Sequence, residues 1–188
     1  MRLLKTISKP LKNQGYHSFK MLDLETVKQD IEQWIVNFVE IKNPALGNWP
    51  PCPYARKARL ENDFTVKIGK DPYWDLVDIA INGLEGKSVI VIAYDPNEYN
   101  HNDFGYKLKF ANETWLLRND ILALEDHPGD PEIVNGVCMN QGTYALALVQ
   151  NLSDLNAKAK IMAAKGFYDT WPEDYLKMLF QYRKDPRK

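Results

Sequence analysis

Two cysteines and three histidines are the side chains of this 188-residue sequence best suited to nucleophilic or acid–base chemistry. One of each stands in an unusual setting. Cys52 lies in "NWPPCPYARKARLENDF", residues 48–64, with prolines at 50, 51 and 53. Proline fixes φ and removes a backbone donor, so the loop is stiff and points its thiol in one direction at low entropic cost. Arg56, Lys57 and Arg59 follow at once, and cations beside a thiol favour the thiolate, the nucleophilic form. The plainer reading is a small buried hydrophobe with its cations solvated. His127 lies in "LALEDHPGD", among Glu125, Asp126 and Asp130. A neighbouring carboxylate sets an imidazole's tautomer and favours its protonation. The plainer reading here is a structural histidine in a turn.

A Cys52 thiolate, a His127 base and Asp130 as the partner of His127 have the composition needed for thiol chemistry. These three are the candidate catalytic residues. Arg56 is the candidate anion clamp, with Asp126 and Asp95 as further candidate ligand-binding residues. Asp95 opens "YDPNEYNHNDFG" at the end of an expected strand, where open α/β sheets place ligands. Cys52, His127, Asp130 and Cys138 also have metal-ligand chemistry. However, close Cys-x₂₋₄-Cys pairs are absent, so neither a metal nor another cofactor is expected.

The segment "LGNWPPCPYARKA" resembles the hallmark of an uncharacterised bacterial protein family, a domain of unknown function with a Leu-Cys-Pro-Phe-Ala-Lys type motif after an N-terminal helix. Cys52, Pro53 and Ala55 match it, while Tyr54 stands for Phe and Arg56 for Lys. A strand ending in a His-Pro pair follows much later in that family, as His127 and Pro128 do here. The order of elements from about residue 24 to 180 is similar too. The resemblance implies an α/β fold and supplies candidate positions, with no activity attached.

The elements that must position these residues follow from periodicity. In "DLETVKQDIEQWIVNFVEIK", Leu24, Val27, Ile31, Trp34, Ile35, Phe38 and Val39 recur at helical spacing behind an Asp23 cap. Asn43-Pro44 and Gly47 end that helix. "DFTVKIG" reads as a strand. "DPYWDLVDIAINGLEG" reads as a helix with Pro72 at its first position and Trp74, Val77, Ile81 and Leu84 on one face. "KSVIVIAYDP" is a β-branched run of the kind covered on both faces. A helix in "DFGYKLKFANETWLLRN", strands "DILALED" and "TYALALVQN", a Ser153-capped helix and a final helix capped by Thr170 complete the pattern. The expected fold is α/β (α+β), a four-stranded mixed sheet with helices packed on it, as a variation on a ferredoxin-like sandwich. The first three strands are joined by helical crossovers, and the fourth runs antiparallel to the third. Leu24, Ile31, Trp34, Ile35, Phe38, Val89, Val91, Leu122, Leu124, Leu146 and Leu148 are expected in the core.

The sequence reads as one domain over residues 21–182, with a basic arm over 1–20 and a basic tail over 183–188. At 45% hydrophobic residues it has the material for a packed core. A net charge of −1 gives no overall field to hold nucleic acid, and no recognised nucleic-acid motif appears. No membrane-spanning run is present, and two cysteines are too few for a disulfide scaffold, so a cytoplasmic setting is expected. The segment "HPGDPEIVNGVCMNQG" reads as a long loop without structure of its own, a functional feature by its length. Two functions are expected. One is a small enzyme or binder of a small anionic molecule at a Cys52/His127 site between two loops. The other is a non-catalytic accessory protein that docks a protein partner through basic termini and aromatic surface.

Overall fold

A computed structural model describes residues 22–188, and the expected arm over 1–20 lies outside them. Helix α1 (Leu24–Trp34) starts where the Asp23 carboxylate accepts a hydrogen bond from the Thr26 N–H at 2.9 Å. From Ile35 to Val39 the helix loosens to π pitch, which leaves Val27, Ile31, Ile35 and Val39 as one buried stripe. Leu24, expected in the core, is 36% exposed, because it sits on the first turn outside that stripe. A short α2 (Ala55–Leu60) leads to β1 (Phe64–Ile68), α3 (Pro72–Asn82), β2 (Val89–Tyr94), α4 (His101–Ala111) and β3 (Ile121–Asp126). A small hairpin, β4 (Ile133–Val134) and β5 (Val137–Cys138), precedes β6 (Ala145–Asn151), α5 (Leu152–Ala163) and α6 (Glu173–Leu179).

The four long strands form one sheet in the order β1-β2-β6-β3. β1 and β2 are parallel, and β6 runs antiparallel to both β2 and β3. The mixed four-stranded sheet expected from sequence is therefore present, with its helical crossovers through α3 and α4. Inserting β6 between the parallel strands β2 and β3 gives the split βαβ unit of ferredoxin-like arrangements. Where this fold goes beyond that arrangement is the second face. Ile90, Ile92 and Tyr94 pack with α3 and α4, while Val91 and Ala93 pack beneath α1. A strand apolar on both sides must be covered on both sides.

A third cluster lies apart from the sheet. Phe167, Tyr168, Trp171 and Phe180 pack with Leu46, Met162 and Leu176, the Phe167–Trp171 ring centroids being 5.1 Å apart. It ties the chain end down: Arg183 stacks on Phe180 at 5.0 Å, and Arg187 pairs with Glu173 at 2.7 Å.

Several local expectations are corrected. On α3 the buried residues are Leu76, Val77, Ile79 and Ala80, whereas Trp74 and Ile81 are 66% and 71% exposed. Packing under α4 as well as on the sheet rotates the buried face away from the spacing chosen from Trp74. Helix α5 is capped by Asn151, whose side chain accepts from the Asp154 N–H at 2.8 Å. Ser153 instead donates its hydroxyl to Asp120 at 2.7 Å. Pro172, with no side-chain acceptor, precedes α6 in place of a Thr170 cap. The long 127–142 segment carries a hairpin of its own. Among the described residues no helix is long and apolar enough to cross a membrane.

Candidate functional site

β3 is an edge of the sheet, and its C-terminal half borders a cavity of about 560 Å³. One wall is the helix α4 backbone at Gly105. The C-terminal segment bearing Tyr175 and Met178 also lines the cavity, as do the apolar side chains of Leu122, Leu124 and Trp34. The volume is in the range of small-ligand sites.

Glu125 is the central polar group. An α-helix interior disfavours glycine by up to about 1 kcal/mol relative to alanine, yet Gly105 is needed here. A Cβ at that position would lie 2.7 Å from Glu125 Oε2, so the missing side chain makes the space that the carboxyl occupies. Among the described residues nothing donates a hydrogen bond to this carboxyl. Burial, and then the charges of Asp130, Glu132 and Asp126, push it up to about 7. Glu132 accepts a hydrogen bond from the Tyr175 hydroxyl at 2.9 Å. Burial holds Glu132 above the usual carboxylate range, although that bond pulls the other way.

The end of β3 is fixed by Asn140. Its Nδ2 donates to Asp126 Oδ1 at 3.1 Å, to the His127 carbonyl at 3.2 Å and to the Asp130 carbonyl at 3.3 Å. Its Oδ1 accepts from the Glu132 N–H at 2.6 Å. Asp126 Oδ2 also accepts from the Gln141 N–H at 2.9 Å. Buried Asp126 is displaced upward by desolvation, against those two bonds, and both of its oxygens serve the loop. Further back on the edge, Asn112 is 3% exposed and plugs the strand. Its Nδ2 donates to the Ala123 carbonyl, and its Oδ1 accepts from the Ala123 N–H, each at 2.9 Å.

The residues singled out in the sequence are placed as follows. His127 is buried, with Nε2 2.9 Å from the Tyr99 carbonyl oxygen and Nδ1 accepting from the Gly129 N–H at 2.9 Å. A carbonyl only accepts, so Nε2 carries the proton and both ring nitrogens are occupied. Asp130 is exposed, and it joins His127 through its backbone N–H, which donates to the His127 carbonyl at 3.0 Å. Asp95 closes an Asx turn by accepting from the Asn97 N–H at 2.8 Å. His127, Asp126 and Asp130 line the β3 cavity; Cys52, Arg56 and Asp95 do not.

Cys52 is held by its N–H to the Val39 carbonyl at 3.1 Å. The residue presents surface to solvent, but the protein packed around its sulfur desolvates the thiolate and pushes the thiol up. The nearby cations that oppose this are Lys158 and Arg183, which come from α5 and the chain end. Of the cations expected to act, Arg59 is committed to Glu40 through bonds of 3.1 and 2.8 Å. Arg56 is exposed beside a shallow depression with Pro53 and Leu60. Cys138 is exposed on β5, its Sγ 3.6 Å from Asn140 Oδ1. Among the described residues no group of three or more His, Cys, Asp and Glu side chains is placed to hold a metal ion.

Sequence reasoning placed Glu125 only as a neighbour of His127, and it passed over Gly105, Asn112, Glu132 and Asn140. The available signals were a glycine inside a helical pattern and a long segment with two acids and no Lys or Arg. Comparison of the chain with protein-family profiles, with curated proteins and with solved structures finds no match.

Proposed function

We propose that this chain is a soluble cytoplasmic protein that binds a small cationic ligand in the crevice beside β3, with Glu125 as its proton-exchanging counter-ion. The observation that carries this reading is the Glu125 carboxyl, set into the cavity wall against Gly105, where burial and the neighbouring acids push it up to about 7. Functional sites are where desolvation and like charges are arranged to move a carboxyl this far. Asp130 and Glu132 share the cavity, so an ammonium group there relieves their mutual repulsion, while the apolar side takes a hydrocarbon body. The acidic lining, from which Arg56 is absent, supports a cation in place of a small anion.

Calorimetric titration of the full chain with pentylamine and with pentanol, its isosteric alcohol, tests the reading. The amine is expected to bind about tenfold or more tightly than the alcohol, and E125Q is expected to abolish that preference. Equal affinities for the two in the unaltered protein would overturn it.

One observation favours a second reading, a non-catalytic accessory protein that docks a protein partner. Trp74, Tyr106 and Phe110 form an exposed aromatic surface on α3 and α4, the Tyr106 and Phe110 rings being stacked at 6.2 Å. Scattered exposed apolar residues need no explanation, whereas a contiguous patch does. Under this reading W74S with Y106S abolishes partner capture and leaves pentylamine binding unchanged; capture that survives the double substitution counts against it.

A further inference from the structure

Antiparallel pairing makes an edge strand present its outward N–H and C=O groups at every second residue. On β3 the Asn112 amide marks which residues these are. Ala123 gives it both N–H and C=O, so Ile121 and Glu125 face outward in the same sense, while Leu122, Leu124 and Asp126 pair inward with β6. At Ala123 the buried Asn112 amide stands in for one residue of a neighbouring strand. At the next outward position after Glu125 the edge closes again, because the His127 carbonyl accepts from the Asp130 N–H at 3.0 Å and from Asn140 at 3.2 Å. Between these two plugs the Glu125 backbone has no partner among the described residues, and it borders the cavity. A buried or half-buried main-chain pair is seldom left unmatched.

We infer that the crevice clasps a short extended lysine-containing peptide, one residue of which bridges to the Glu125 N–H and C=O while its ammonium group meets the Glu125 carboxylate within the negative field of Asp130 and Glu132. This rests on the cationic-ligand reading above and names the ligand class. The backbone contact is a single-residue form of strand addition, in which main-chain hydrogen bonds supply affinity and side-chain pockets supply specificity. Charge complementarity selects lysine. The cavity is lined by Glu125, Asp126, Asp130 and Glu132 against one lysine, Lys109, which is already paired with Glu113 at 3.3 Å. Met178 and Leu179, which line the same cavity, offer apolar surface to the four-carbon lysine stem.

The test uses the full chain and three probes: pentylamine, the capped tripeptide acetyl-Ala-Lys-Ala-amide, and the same tripeptide methylated on the lysine backbone nitrogen. Amide chemical shifts report binding. The tripeptide is expected to bind at least about tenfold more tightly than pentylamine, to shift the Glu125 amide resonance downfield, and to lose about tenfold on N-methylation. If pentylamine binds as tightly as the tripeptide and N-methylation changes nothing, the peptide inference falls while the cationic crevice stands. If pentylamine and the tripeptide both fail to bind, both fall.

Discussion

The Glu125 carboxyl gives the sharpest test of the crevice because its displacement must appear in the stability of the unliganded protein. Burial and three neighbouring acids push it from its ordinary 4.5 up to about 7. A carboxyl raised on folding keeps its proton in the native state after the unfolded chain has lost its own, so stability falls as pH rises from about 4.5 to about 7. The full displacement corresponds to roughly 3 kcal/mol. The carboxyl is not fully enclosed, and solvent screening reduces this to about 1–2 kcal/mol. E125Q keeps the shape and removes the charge. At pH 5 native Glu125 is already protonated, so the two proteins are expected to differ little; at pH 8 E125Q is expected to be more stable by about 1–2 kcal/mol. Urea unfolding at half-unit steps between pH 5 and 8.5 measures the difference, and the slope m should stay constant. A stability difference that does not change with pH, or a loss of stability in E125Q at pH 8, would refute the placement of this carboxyl.

Three further outcomes follow from the same geometry. In G105A the added methyl meets Glu125 Oε2 and displaces the carboxyl toward water, so its titration, followed by carbon NMR, is expected to move down from about 7; an unmoved titration would mean that the carboxyl does not lie against the helix. N112A leaves the buried Ala123 N–H and C=O unmatched and is expected to lower stability by about 2–4 kcal/mol, seen as a lower urea midpoint; a loss under about 0.5 kcal/mol would show that water or another side chain replaces the plug. Cys52, whose thiol is raised by desolvation, is expected to react with iodoacetamide along a pH profile displaced above that of a free cysteine, and a profile displaced below it would restore the thiolate reading of the proline loop.

Periodicity made the elements of the fold legible because burial imposes it directly. "KSVIVIAYDP" could be read as a strand covered on both faces, and α1 and α4 do lie on opposite sides of β2. Asp23 could be read as a cap because the capping acceptor precedes its donor by three residues. The reading failed where several elements compete for one surface. Trp74 and Ile81 share helical spacing with Val77, yet α4 and the sheet together bury Leu76 and Ile79 beside Val77 and leave Trp74 and Ile81 exposed. Ser153 looks like a cap in isolation, but Asp120, more than thirty residues earlier, takes its hydroxyl.

For the candidate site the division is sharper. The sequence alone determined the stiff proline loop at Cys52, the long segment without Lys or Arg after β3 and the four strands, since these are properties of residue type and short-range spacing. Only the tertiary structure decided which groups meet. It turned Arg59 onto Glu40, occupied both nitrogens of His127 with backbone, and set Lys158 and Arg183 near Cys52. It also brought Gly105 from α4 against Glu125 and Tyr175 from α6 against Glu132. Desolvation and the summed field of neighbouring charges are properties of a surface assembled from distant segments, so the group best placed for chemistry is one whose immediate sequence gave it no distinction.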